Sequence, residues 1–274
     1  MTRHLKIAGD LLFLVASAVR FVRVASYAQL NVAITSASST LSGGDSRTET
    51  YWDAVARTKW GNYLADFEKR LVSLGNNYAA KRGRGVDLGC GSGRWSRQLT
   101  DRGWQMTCID VAPGDLAVCQ RNVPEATCVL SPVDAAAIPC ASRAAGILLC
   151  IEVAPVIDSP WFIPEAHRVL DTGGVLVGVL CNRNSWRGLT VRTKSRLRRA
   201  QSGYPFYQHS YPEFRNKLIT TGFEMLHQEG FCWGPADRCS NSALVPIYSR
   251  LERALRLHRR VNVSPWVAFI ARKR

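Results

Sequence analysis

At 274 residues with 46% hydrophobic content, the chain is long enough to bury a core as one domain of ordinary size. A formal net charge of +15 requires an anionic partner to be considered. The nine cysteines are an odd set with no Cys-x-x-Cys pair, and His4, His167, His209, His227 and His258 show no metal-ligand spacing. Reduced, mostly buried thiols and no metal are expected.

In residues 1–45 the apolar run Leu11 to Val19 is nine residues long and bounded by Asp10 and Arg20. It falls well short of the roughly 20 residues that span a bilayer. Lys6, Asp10, Ser17, Arg20 and Arg23 lie opposite Leu11, Leu14, Val15, Ala18 and Val22 at helical spacing, the pattern of an amphipathic helix. Three uses stay open: a mitochondrial-type presequence, a secretory signal whose apolar core Asp10 interrupts, and a helix lying on a membrane or over the active site. Thr35 to Ser46 reads as a flexible linker. The expected division is a leader over 1–45 and one domain over 46–274, cytoplasmic unless the leader is a presequence.

Ser46-Arg47-Thr48-Glu49 matches a capping box, and Val55, Tyr63, Leu64, Phe67 and Leu71 continue a helical period to Leu74-Gly75. One helix is expected there. The stretch Val86-Asp87-Leu88-Gly89-Cys90-Gly91-Ser92-Gly93-Arg94-Trp95 follows and reads as strand, tight loop and helix. Glycine lets the loop turn sharply and lets a ligand lie against the backbone. The unpaired N–H groups of the next helix favour an anion by about 0.3–1 kcal/mol. A nucleotide-like ligand fits such a loop. The dinucleotide spacing Gly-x-Gly-x-x-Gly fails, because the sixth position is Arg94 counted from Gly89 and Ser96 counted from Gly91. No Lys-Ser or Lys-Thr follows the glycines, so a phosphate-binding P-loop fails as well.

Further strands are expected at Trp104 to Asp110, Ala126 to Ser131, Ile147 to Ile151, Val175 to Cys181, Phe223 to Phe231 and Pro265 to Ala271. Pro113 opens one intervening helix, and another at Tyr211 to Thr221 stops at Gly222. Alternating strands and helices imply a Rossmann-like, doubly wound α/β sheet with ligands at the carboxyl ends of its strands. Two insertions interrupt it, near 182–210 and 232–262. The first is basic and aromatic; the second carries Leu244, Ile247, Tyr248, Leu251 and Leu255 at helical spacing with arginines between them. Both are expected to shape an acceptor pocket, or else to pack as ordinary surface elements.

The Asp-x-Gly-x-Gly-x-Gly run at Asp87 to Gly93 resembles motif I of the class I S-adenosylmethionine-dependent methyltransferases. Asp110 stands where that family holds the ribose hydroxyls. Asp134-Ala135-Ala136-Ala137-Ile138-Pro139 resembles the loop whose acid meets the adenine amino group. Pro164 to Leu176 resembles the helix, Gly-Gly turn and fifth strand of the small-molecule branch that includes the quinone-biosynthesis C-methyltransferases. The likeness runs from about Tyr51 to Gly230. It implies a seven-stranded, mostly parallel sheet with an antiparallel last strand and S-adenosylmethionine as cofactor. The implied cofactor residues are Asp87, Gly89, Cys90, Gly91, Gly93, Asp110, Val111, Asp134, Ala135 and Cys150.

The expected reaction is methyl transfer to an oxygen, nitrogen or carbon of a small, lipid-like or aromatic acceptor. His209, in the aromatic insertion, and Glu152, just past the fourth strand, are the candidate bases. His167 reads as an exposed helix residue. Two other readings remain: an RNA methyltransferase, suggested by basic segments at Arg183 to Arg199 and Arg250 to Arg260, and a catalytically silent binding protein that touches a partner or membrane surface. Oligomeric state is not legible.

Overall fold

The computed structural model describes residues 50–80, 82–197, 206–237 and 239–274. The expected leader, the linker and the Ser46 to Glu49 cap lie outside the described residues.

The single helix expected at the start of the domain is two, α1 (Tyr51–Ala56) and α2 (Lys59–Tyr78). Their caps explain the break. Thr50 and Asp53 form a capping box, with the Thr50 hydroxyl accepting from the Asp53 N–H and the Asp53 carboxylate accepting from the Thr50 N–H. Thr58 then caps α2, its hydroxyl accepting from the Gly61 N–H at 3.0 Å. A threonine that takes over a backbone donor ends one helix and begins the next, each cap contributing about 1 kcal/mol.

Seven strands form one sheet: β1 (Arg84–Leu88), β2 (Gln105–Asp110), β3 (Thr127–Leu130), β4 (Ala145–Cys150), β5 (Leu170–Cys181), β6 (Phe223–Phe231) and β7 (Trp266–Lys273). Their order is β3-β2-β1-β4-β5-β7-β6. β1 to β5 run parallel, and β7 runs antiparallel to both β5 and β6. The fold class is therefore the one expected. β5 starts five residues before the expected Val175, because Leu170 already pairs with Ala145 ahead of the irregular Gly173-Gly174 segment.

Alternation along the strands divides the core between the two faces. Ile147, Leu149, Val175, Val177 and Ile270 pack under α2, α3 (Arg94–Thr100) and α4 (Pro113–Asn122). Leu148, Cys150, Leu176, Val267 and Phe269 pack under α5 (Ala154–Ile157), α6 (Phe162–Val169) and α8 (Tyr211–Thr220). Burying a large apolar side chain is worth about 1.5–3 kcal/mol, so this two-faced burial specifies the register of each strand.

The insertions supply α7 (Trp186–Leu197) and α9 (Val245–Ala254). His167 corrects its expected exposure: it is half-buried, its ring edge-on to Phe223 at 5.5 Å. Among the described residues no helix is long and apolar enough to cross a membrane.

Candidate cofactor and acceptor site

The strand order reverses direction between β1 and β4, which opens a crevice at the carboxyl ends of the strands. The glycine loop 89–93 sits there. A Cβ on Gly89 would lie 2.3 Å from Val153 Cγ2, and one on Gly93 would lie 2.6 Å from Cys119 Sγ, so these two glycines permit close packing. Gly91 differs. Its φ is +52° and a Cβ there would meet no atom within 4 Å, leaving an open cradle lined by backbone.

Asp110 faces that cradle. Its Oδ2 accepts from the Gly91 N–H at 2.9 Å, while Oδ1 accepts from the Val111 and Ala112 N–H groups at 2.7 and 3.0 Å. A carboxylate has about four acceptor positions, so capacity remains on its half-exposed side. Val111 beside it leaves an apolar side chain 50% exposed at the crevice. The Ser131 N–H donates to the Asp110 carbonyl, which starts the 131–139 loop next to this site. The loop's far end is pinned by Glu165, which accepts from the Ile138 N–H, and by Arg168, which donates to the Ile138 carbonyl. Asp134 is exposed and Ala135 half-buried between those anchors.

Asp87 stands behind the loop. It is 2% exposed, and its Oδ2 accepts from Ser96 Oγ at 2.7 Å, which braces β1 against the first turn of α3. Burial pushes its pKa up to about 7, the Ser96 hydrogen bonds opposing. The Cys108 thiol donates to Ser96 Oγ at 3.1 Å, and the sulfurs of Cys90, Cys108 and Cys119 lie within 4.8 Å of one another. Spacing along the chain gave no sign of this grouping, because the three thiols come from a loop, a strand and a helix. Cys150, expected at the cofactor, is 0% exposed over the whole residue and packs within the α5, α6 and α8 face, so it does not open on the crevice.

Glu152 follows β4 with φ +61°, next to the Val153 side chain that packs on Gly89. Tyr207 and Cys232 also have positive φ, +66° and +64°. All three lie on the segments leaving the carboxyl edge of β4, β5 and β6. Such backbone costs about 1–3 kcal/mol per residue and concentrates at functional sites. His209 is half-buried, with Nε2 at 3.0 Å from the carbonyl oxygen of Asp158, which caps α5. A carbonyl only accepts, so Nε2 carries a hydrogen, and in the neutral ring Nδ1 is then the acceptor. An open cavity of about 450 Å³ is lined, among the described residues, by Arg183, Asn184, Arg192, Tyr207 and Gln208, the last being the chain neighbour of His209.

Two features escaped sequence reasoning. Asp53 on α1 accepts from Ser92 Oγ at 2.8 Å and Arg94 Nη2 at 2.9 Å, tying that helix across the glycine loop. Burial opposes its ionisation, but the hydrogen bonds from Thr50, Ser92 and Arg94 outweigh it and hold the pKa low. The Thr50-x-x-Asp53 spacing was the available signal. Arg187 on α7 donates to the carbonyls of Cys232, Gly234 and Ala236 and lies over the rings of Trp60 and Trp186. Nothing local in the sequence pairs those segments.

Residues 86–178 match a family described as a methyltransferase domain. Malonyl-[acyl-carrier protein] O-methyltransferase of Serratia marcescens is 28% identical over 135 residues, 48% of this chain and 49% of that protein. Ubiquinone biosynthesis O-methyltransferase of Methylobacterium nodulans is 32% identical over 104 residues, 36% of this chain and 41% of that protein. The chain thus matches about half or less of the length of these curated relatives. A solved S-adenosylmethionine-dependent methyltransferase from Mesorhizobium loti superposes with a TM-score of 0.51 at 20% identity, covering 73% of this chain and 96% of that one. The strand order and the matched 86–178 segment agree: residues 86–178 are similar to a methyltransferase domain, and the sheet has the fold of solved S-adenosylmethionine-dependent methyltransferases.

Proposed function

We propose that the protein transfers the methyl group of S-adenosylmethionine to an oxygen of a small acceptor. The observation that carries this reading is the Gly91 cradle, open where a Cβ would stand and faced by the Asp110 carboxylate. The names of the two O-methyltransferase relatives favour oxygen over nitrogen or carbon.

In this reading Asp110 holds the ribose hydroxyls, the backbone of Gly89, Cys90, Gly91 and Gly93 borders the cofactor, and Val111, Asp134 and Ala135 frame its base. Asp87 braces the loop from behind. The cofactor, when bound, supplies a methyl group activated by a positively charged sulfur. The chain's own work is to align the acceptor and exclude water, and orientation can supply up to about 7–11 kcal/mol. α1, held over the loop through Asp53, covers one side. The cavity beside Arg183 and Arg192 takes the acceptor and suits one with a polar or anionic group. His209 Nδ1 accepts the proton of the acceptor hydroxyl, with Asp158 positioning the ring through Nε2.

Calorimetric titration with S-adenosylmethionine, beside NAD and an Asp110→Ala variant, tests this. Micromolar binding of the sulfonium compound alone, weakened about tenfold or more by Asp110→Ala, is expected. Absence of binding by folded protein, or equal binding by the variant, overturns the assignment. With an acceptor in hand, His209→Gln should lower turnover by about 10²–10⁴-fold at unchanged cofactor affinity. Unchanged turnover would transfer the base role to Glu152.

A further inference from the structure

Helix α9 has its polarity reversed. Its buried residues are Val245 and Glu252. Glu252 Oε2 accepts from the Tyr63 hydroxyl at 2.6 Å, and Oε1 from the Trp233 and Gly234 N–H groups at 2.7 and 3.3 Å. The apolar stripe points the other way: Leu244, Ile247, Leu251 and Leu255 are 48, 48, 48 and 53% exposed. A helix packed on a water-soluble domain normally buries such a stripe.

The stripe is flanked by cations. Arg250 borders the stripe beside Ile247, Arg253 stands further round the helix, and Arg256, Arg259 and Arg260 follow its end, all exposed. Among the described residues none of the five is in an ion pair. The helix's one acid, Glu252, is turned inward. The exposed residues of the helix are thus Pro246, Ile247, Arg250, Leu251, Arg253 and Ala254, with no acid among them.

We propose that this face of α9 seats on an anionic bilayer, the four apolar side chains entering the headgroup boundary and the arginines meeting lipid phosphates. Charge complementarity selects this occupant. A second copy of the chain in a two-fold contact would set arginines against arginines. A polynucleotide would satisfy the arginines and leave the aliphatic side chains in water. An anionic lipid surface satisfies both sets. The docking is independent of methyl transfer, and binding alone reads it.

The experiment sediments the full chain with vesicles of phosphatidylcholine alone and of phosphatidylcholine mixed with phosphatidylglycerol. Partitioning to the mixed vesicles, declining with salt, is expected. A Leu251→Ser, Leu255→Ser double variant, which alters no charge, should partition about tenfold less at unchanged thermal stability. The proposal is overturned if the native chain does not partition, or if the double variant partitions equally, since a basic segment elsewhere then carries the binding. It is also overturned if the native chain is a dimer that the double variant dissociates, or if single-stranded RNA is bound in preference to the mixed vesicles.

Discussion

Asp87 and Asp110 are two acids of similar local sequence with opposite surroundings. Asp110 is half-exposed and faces the cradle, whereas Asp87 is 2% exposed and bonded to Ser96. Because burial lifts the folded-state pKa of Asp87 from 3.8 to about 7, the native state binds more protons than the unfolded chain between those values. Stability from this group is therefore full below about pH 4 and is lost as pH rises through 7, by up to about 4 kcal/mol. Asp87→Asn should be more stable relative to the native chain at pH 8 than at pH 5, measured by chemical denaturation. An equal difference at both pH values would show that the folded-state pKa is not raised. Motif spacing singles out both acids. Which of them looks into the crevice depends on the neighbouring Ser96 and Cys108, which arrive from other elements.

Among the elements, the two helices that the insertions supply, α7 and α9, depended most on tertiary contacts. Periodicity identifies Leu244, Ile247, Leu251 and Leu255 as one stripe, yet that stripe faces outward because Tyr63 on α2 and the Trp233-Gly234 turn capture Glu252. Burial raises the Glu252 pKa, and these donors oppose the rise. Tyr63→Phe removes a donor from a buried acid and should cost about 1–3 kcal/mol in denaturant unfolding. A cost near zero would mean that α9 is held by other contacts. The entry helix makes a similar point at smaller scale. A capping box starts it, but the box is Thr50 with Asp53, and Asp53 also closes onto Ser92 and Arg94.

At the scale of the whole molecule, the sheet places the loops after β1, β2 and β4 around one crevice, so occupancy there reports on the entire fold. A ligand at about a hundred times its Kd adds about 2.7 kcal/mol to stability by mass action. For a domain of this size that raises Tm by roughly 5–10 °C. Thermal unfolding with S-adenosylmethionine should show this shift and NAD should not; equal shifts, or none, would contradict the cofactor assignment. By itself the sequence determined the strand and helix alternation, the glycine loop and the acids at strand ends, because periodicity and turn chemistry act over a few residues. Tertiary structure alone decided that Asp87 is buried while Asp110 stays half-exposed, that three thiols meet behind the loop, and that the leucines of α9 face outward. Those outcomes depend on side chains brought together from segments far apart in the chain, and no local period records their pairing.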